Sequence, residues 1–264
     1  MPNIQGITAA RARSYAFRLP LFTRCIILLI VAFWIFSFPT FWDLRQWGSL
    51  IPDEVTFATG YRLSTFPLVH LNLFHAVLNL IALTPLMERF ENEHGTLTSL
   101  ALFFGPLTTV PALLYIVIER GMLRGNRSVM GASVWVFLLL GIEAIRTYKS
   151  NPHITIGTYH IPTWTTPLFM MFVIAVLMPN TSLLGHLCGV AVGYVCGLGY
   201  LRFIAPPEWA LKWIENRLNL LSVLPHYVSV DQKTYGRFGI LPSTTRTGNS
   251  AATELVGSTQ RLGP

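Results

Sequence analysis

Apolar residues along this chain gather into six runs separated by short polar stretches. The runs cover about 21–38, 69–87, 97–118, 129–145, 162–178 and 183–204, and each meets or approaches the ~17–25 residues that a bilayer core requires of a helix. The pattern predicts an all-α membrane protein, a six-helix bundle over residues 21–204, preceded by a basic N-terminus over residues 1–20. The longest connection, 39–68, scatters Trp42, Trp47, Phe57 and Tyr61 among Pro, Asp and Gly. Aromatics of this kind favour the membrane–water boundary, so the loop is expected to lie partly in the outer leaflet. Behind Pro206-Pro207-Glu208, residues Trp209, Trp213, Ile214, Arg217 and Leu218 recur at helical spacing. They predict an amphipathic helix over 205–224, lying on the cytoplasmic leaflet. Residues 225–264, rich in Ser, Thr and Gly, predict a disordered cytoplasmic tail, open to adaptors and without catalytic groups.

Composition agrees with the runs. Of 264 residues, 52% are hydrophobic and 12% charged, with a mean hydropathy of +0.50, too apolar for an ordinary soluble domain. The net charge of +7 resides mainly in flanks and tail, where it signals topology and not a nucleic-acid surface. Arg11, Arg13, Arg18 and Arg24, with no acid among them, hold the N-terminus on the cytoplasmic side. Six spans then return the C-terminus to the same side, in keeping with Arg146 and Lys149 after the fourth run, while Arg120, Arg124 and Arg127 oppose this orientation. The first run lacks a small-residue cleavage pattern and is read as an anchor. Cys188 and Cys196 lie about 12 Å apart along one helix, too far for a disulfide.

Polar side chains inside these runs are the candidate chemistry, because hydrocarbon penalises them. Ser133 stands four residues into the fourth run and His186 three into the sixth, and both runs begin at the outer face. The two groups thus reach a common depth of about 5–6 Å. A serine hydroxyl becomes nucleophilic when a neighbouring base takes its proton, and neutral imidazole is that base near pH 7. The second run carries His70, Asn72, His75 and Asn79 to the same layer. His75 and Asn79, at i and i+4, share a helix face and can address a developing oxyanion. His70 suits a structural role, bonded to a loop carbonyl. A metal site is set aside because His70 and His75, five apart, point about 140° from one another on a helix; no cofactor is expected. Gly185, Gly189, Gly193 and Gly197 form a stripe that admits a close neighbour, expected to be the fourth helix, entered through Gly131.

Gly131-x-Ser133 followed by Phe137 and Gly141, His186-x-x-Gly189-x-x-x-Gly193, and the spacing of His70, His75 and Asn79 resemble the rhomboid family of intramembrane serine proteases. Tyr61-Arg62 stands where rhomboids carry Trp-Arg. The resemblance covers about residues 55–204. It implies a serine nucleophile at Ser133 and a histidine base at His186 without a third acid, with His75 and Asn79 at the oxyanion. Val134 in place of the usual glycine and Tyr61 in place of tryptophan are departures that bear on rate and substrate choice. The chain looks most like the small Golgi-type rhomboids of fungi. This implies a Golgi or other endomembrane location, single-pass membrane proteins as substrates, and a membrane-tethered transcription-factor precursor as one candidate. The alternative is a rhomboid-like module that binds transmembrane clients for degradation or trafficking without cutting them. Inactive relatives typically lose the serine or the histidine, and this chain keeps both. A transporter or channel would line several spans with charge, which these runs lack, and no internal repeat is present.

Overall fold

The computed structural model describes residues 14–38 and 43–233; Arg11 and Arg13, Trp42, and the expected tail beyond residue 233 lie outside the described residues. The first apolar run forms α1 (Leu21–Phe36), whose own N-cap position, Pro20, has no side chain to satisfy the first amides. Glu91, fully buried, supplies the cap from a distant part of the chain. Its carboxylate accepts the amides of Phe22 and Thr23, both at 2.8 Å, and the hydroxyls of Thr23 (2.8 Å) and Thr96 (2.7 Å). Four donors and the positive end of a helix dipole compensate the buried charge.

The long loop that follows is built around Arg62. Short helices α2 (Leu44–Gly48) and α3 (Arg62–Thr65) flank it, and the buried guanidinium donates to the carbonyls of Gln46 and Ser49 and to Glu54, each at 2.7 Å. Tyr61 stacks on Trp47 with ring centroids 4.8 Å apart. Leu50 pairs with Val129 in an isolated antiparallel bridge, tying this loop to the approach to Ser133.

The second helix, α4 (Leu73–His94), starts later than the apolar run. Asn72 caps it by accepting the His75 amide at 2.8 Å, which leaves His70 in the preceding turn and corrects its placement on the helix. The third run divides at Gly105 into α5 (Thr96–Phe103) and α6 (Pro106–Ile116), the latter continuing through a π turn to Met122. The fourth helix, α7 (Ser133–Ser150), also starts late. Residues 129–132 are a bridge and a turn through Gly131, at φ +114°, so Ser133 is the first helical residue and not the fifth of the run.

A hairpin of β1 (His153–Ile156) and β2 (Tyr159–Pro162) then interrupts the all-α expectation. It leads through a short 3-10 turn into α8 (Thr166–Leu177). The last run forms α9 (Leu183–Val195), which passes through a π turn and a break at Gly199, φ +118°, into α10 (Leu201–Ile204). The expected amphipathic helix is α11 (Glu208–Leu218), halted by Asn219 in the left-handed region before α12 (Leu220–Val223). Trp209 and Trp213 are exposed while Leu211 is buried.

Residues 225–233 do not behave as the start of a disordered tail. The Val228 amide donates to the Thr96 hydroxyl and its carbonyl accepts the Thr96 amide, at 2.9 Å each, and the His226 carbonyl accepts the Leu21 amide at 2.9 Å. Tyr227 and Val230 are buried, and Glu215 accepts the Tyr227 hydroxyl at 2.7 Å and the Val230 amide at 2.9 Å. Two buried side chains and these hydrogen bonds hold the strap down.

Helix α7 lies at the centre, with Trp135 and Leu138 fully buried. The Trp135 indole donates to the buried Thr108 hydroxyl at 2.8 Å and so registers α7 against α6. It packs most extensively on α9 and also touches α4 and α8. At its far end Arg146 and Arg89 clamp Glu93 at 2.5 and 2.9 Å, and Arg89 also reaches Glu143 at 2.8 Å. Leu73–His94, Thr96–Met122 and Leu183–Ile204 are long and apolar enough to cross a bilayer; Leu21–Phe36 and Thr163–Leu177 are apolar but shorter. The chain is a multi-pass membrane protein.

Candidate active site

Glycines set the spacing on which the site depends. A Cβ on Gly189 would fall 2.6 Å from the Val134 carbonyl oxygen, and Gly193 faces the backbone of Leu138 and the Cα of Gly141. Helices α7 and α9 therefore meet backbone to backbone. Gly185 differs from its stripe: it faces the Val129 side chain, ahead of α7, while Ser182 caps α9 by accepting the Gly185 amide at 3.1 Å.

Across this contact His186 Nε2 lies 2.9 Å from Ser133 Oγ. With the imidazole proton on Nδ1, Nε2 accepts the serine hydroxyl, the polarity a general base requires. Among the described residues Nδ1 has no hydrogen-bond partner, so none of their carboxylates completes a triad. The Phe137 ring, four residues after Ser133 and on the same helix face, sits 4.5 Å from the imidazole centroid at 33° and fixes its plane.

His70, His75 and Asn79 converge on the turn before Ser133, with different connections. His70 Nδ1 donates to the Leu68 carbonyl and Nε2 accepts the Ala132 amide, both at 3.2 Å; it holds the turn. The His75 ring sits beneath Gly131, where a Cβ would come 2.6 Å from its Cε1. Both His75 ring nitrogens and Asn79 Nδ2 are buried and find no hydrogen-bond partner among the described residues, an arrangement that leaves donors free for a ligand oxygen. The geometric argument against a metal does not survive, because His70 is off the helix and its ring approaches that of His75 to 5.2 Å, edge to face. Both His70 nitrogens are engaged, and among the described residues no three His, Cys, Asp or Glu side chains cluster for an ion.

The serine opens onto a cavity of about 340 Å³ between α4, α7, α8 and α9. His75, Asn79, Ala82 and Leu86 line it from α4, Phe137 and Leu140 from α7, and Met170 and Ile174 from α8. The α8 wall was not anticipated as part of the site, although Met170, Ile174 and Met178 recur every fourth residue and so mark one helix face. Val134 belongs to the packed core and is not among the lining residues, so its bulk does not enter the cavity.

The rhomboid domain pattern matches residues 58–203. The chain is 66% identical over its full length to a rhomboid-type serine protease 2 of Gibberella zeae, of which the match covers 99%. It is 58% identical over 96% of its length to a rhomboid-type serine protease B of Aspergillus fumigatus, of which 94% is covered. It is 32% identical over 77% of its length to a rhomboid-type serine protease 2 of Saccharomyces cerevisiae, of which 78% is covered. Similarity across the helical core, together with a serine and a histidine in hydrogen-bond contact above an apolar cavity, makes the chain a member of the rhomboid family of intramembrane serine proteases.

Proposed function

We infer that Ser133 is the nucleophile and His186 the base of a dyad that cuts membrane-spanning segments of single-pass proteins. The observation that carries this reading is the 2.9 Å contact between Nε2 and Oγ in the wall of the cavity. Ser133 Oγ attacks the scissile carbonyl carbon as its proton passes to His186 Nε2. The oxyanion takes hydrogen bonds from Asn79, from His75 and from the Ser133 amide, which as the first of α7 has no intrahelical partner. Collapse expels the amine, protonated by His186, and leaves an acyl-serine. His186 then deprotonates a water that hydrolyses the ester. A substrate helix must unwind locally, because its carbonyls are otherwise held by their own hydrogen bonds.

The wider arrangement belongs to the same reading. Six spans cross the bilayer with both termini cytoplasmic, the dyad opens towards the lumen of the Golgi or another endomembrane compartment, and α11 rests on the cytoplasmic leaflet. The tail serves an adaptor, and a membrane-tethered transcription-factor precursor fits the substrate class. Reconstituted protein and a tethered reporter test this. Ser133→Ala and His186→Ala should each abolish cleavage while the reporter still co-purifies; unchanged reporter loss in Ser133→Ala would leave a non-cutting client-binding module instead.

A further inference from the structure

The β1–β2 hairpin leaves the core entirely, with residues 151–161 all exposed. Its register places His153 opposite Pro162 and Thr155 opposite His160 on one face, and Ile154 opposite Ile161 and Ile156 opposite Tyr159 on the other. The first face is polar, with Thr155 Oγ1 3.3 Å from a His160 ring nitrogen. The second carries three isoleucines and the Tyr159 ring, yet Ile156 is 61% and Tyr159 75% exposed. Strands of four residues are marginal in water, and an uncovered apolar face weakens them further.

The helix that follows bears on what covers this face. The hairpin's base is pinned to the helix ends: Thr163 donates its amide to the Pro152 carbonyl at 2.9 Å and its hydroxyl to the Asn151 carbonyl at 2.5 Å. One strand begins just after α7 ends, and the other runs directly into α8. The outward side chains of α8, Phe169, Phe172 and Val176, are exposed and, on the six-span reading proposed above, face lipid. Trp164, between hairpin and helix and partly exposed, is the residue type of the membrane–water boundary. The apolar face is thus continuous along the chain with a lipid-facing surface, at the end of α7 remote from Ser133.

We propose that this hairpin docks on the leaflet opposite the active-site mouth. Ile154, Ile156, Tyr159 and Ile161 lie at the boundary of headgroups and acyl chains, and His153, Thr155 and His160 face water. The depth is limited, because a two-stranded hairpin has open edges whose amides and carbonyls find no partner in hydrocarbon. The hairpin then anchors the end of α8, whose Met170 and Ile174 wall the cavity.

The test places an NBD fluorophore on Ile156→Cys or Thr155→Cys in a Cys25→Ser background, since Cys188 and Cys196 are buried. Each full-length protein is reconstituted in phosphatidylcholine vesicles after its unfolding temperature is matched to the parent. The label at 156 should emit to the blue and be quenched more by a nitroxide just beneath the headgroups than by one at the chain terminus, whereas iodide in the water should quench the label at 155. Iodide quenching both positions equally, with no response to nitroxide lipid, overturns the proposal. So does protection at 156 that disappears on diluting the protein in the vesicles, which would mean that a second copy covers the face. Stronger quenching from the chain terminus would overturn the shallow placement.

Discussion

Replacing Gly189 with alanine tests whether backbone contact between α7 and α9 sets the dyad distance. The added Cβ would stand 2.6 Å from the Val134 carbonyl oxygen, about 0.7 Å inside the ~3.3 Å at which carbon and oxygen meet without compression. The obstacle is backbone, one residue after Ser133, so the helices must part. Adding that displacement to the 2.9 Å between Nε2 and Oγ gives about 3.6 Å, at which no hydrogen bond remains. Positioned proton transfer contributes about 10²–10⁴-fold to a rate, so cleavage should fall by at least ~10²-fold, with an overpacking cost of about 1–3 kcal/mol in stability. Gly185→Ala is the control, because its Cβ meets a Val129 methyl at 2.8 Å, and a side-chain end can turn aside. Reporter cleavage in vesicles and thermal unfolding in detergent are read on both. Wild-type turnover in Gly189→Ala would refute the claim that this contact sets the dyad. A loss in Gly185→Ala as deep as in Gly189→Ala would show that any crowding of α9 suffices.

Three other substitutions probe the supports of the site. Glu91→Ala strips the cap from α1 and leaves buried amides without an acceptor, which should cost about 2–3 kcal/mol by thermal unfolding. Arg62→Lys keeps the charge but loses the fork that spans Gln46, Ser49 and Glu54. It should destabilise nearly as much as Arg62→Ala, by about 1–3 kcal/mol, and a full rescue by lysine would contradict the geometry. Tyr227→Phe removes the hydroxyl that donates to Glu215 and should loosen the strap by about 1 kcal/mol, seen as faster proteolysis at residues 225–233. Burial first, and Glu215 second, push the Tyr227 hydroxyl's pKa upward. The folded state therefore favours the protonated phenol, and this support is complete at neutral pH and weakens only above the ordinary tyrosine value of about 10.

The residues that announced themselves in the sequence were polar groups in apolar runs, because burial in hydrocarbon leaves them few roles but function. Ser133 and His186 stood out this way, and the glycine stripe marked the surface that brings them together. Helix starts were less legible. Apolar character begins at residue 69, but the helix begins where Asn72 caps it, and that shift of a turn moves His70 from helix to loop and dissolves the angular argument against a metal. The capping role of Glu91 has no sequence signal, because its partners, Phe22, Thr23 and Thr96, are brought to it only by tertiary packing. The hairpin's alternation lasts only four residues a strand, too short to stand out beside the long apolar runs. The strap was hidden because its apolar residues are too few to set a period, and the groups that hold it, Thr96 and Glu215, lie elsewhere in the chain.

The most direct test of the central claim is covalent labelling of the purified protein with a fluorophosphonate, located by mass spectrometry of the labelled peptide. The phosphonyl group should appear on Ser133 alone and should be absent from Ser133→Ala. It should also be strongly reduced in His186→Ala, where the serine remains but nothing takes its proton. A folded wild-type protein that stays unlabelled, or one that is labelled equally well without His186, would contradict the dyad.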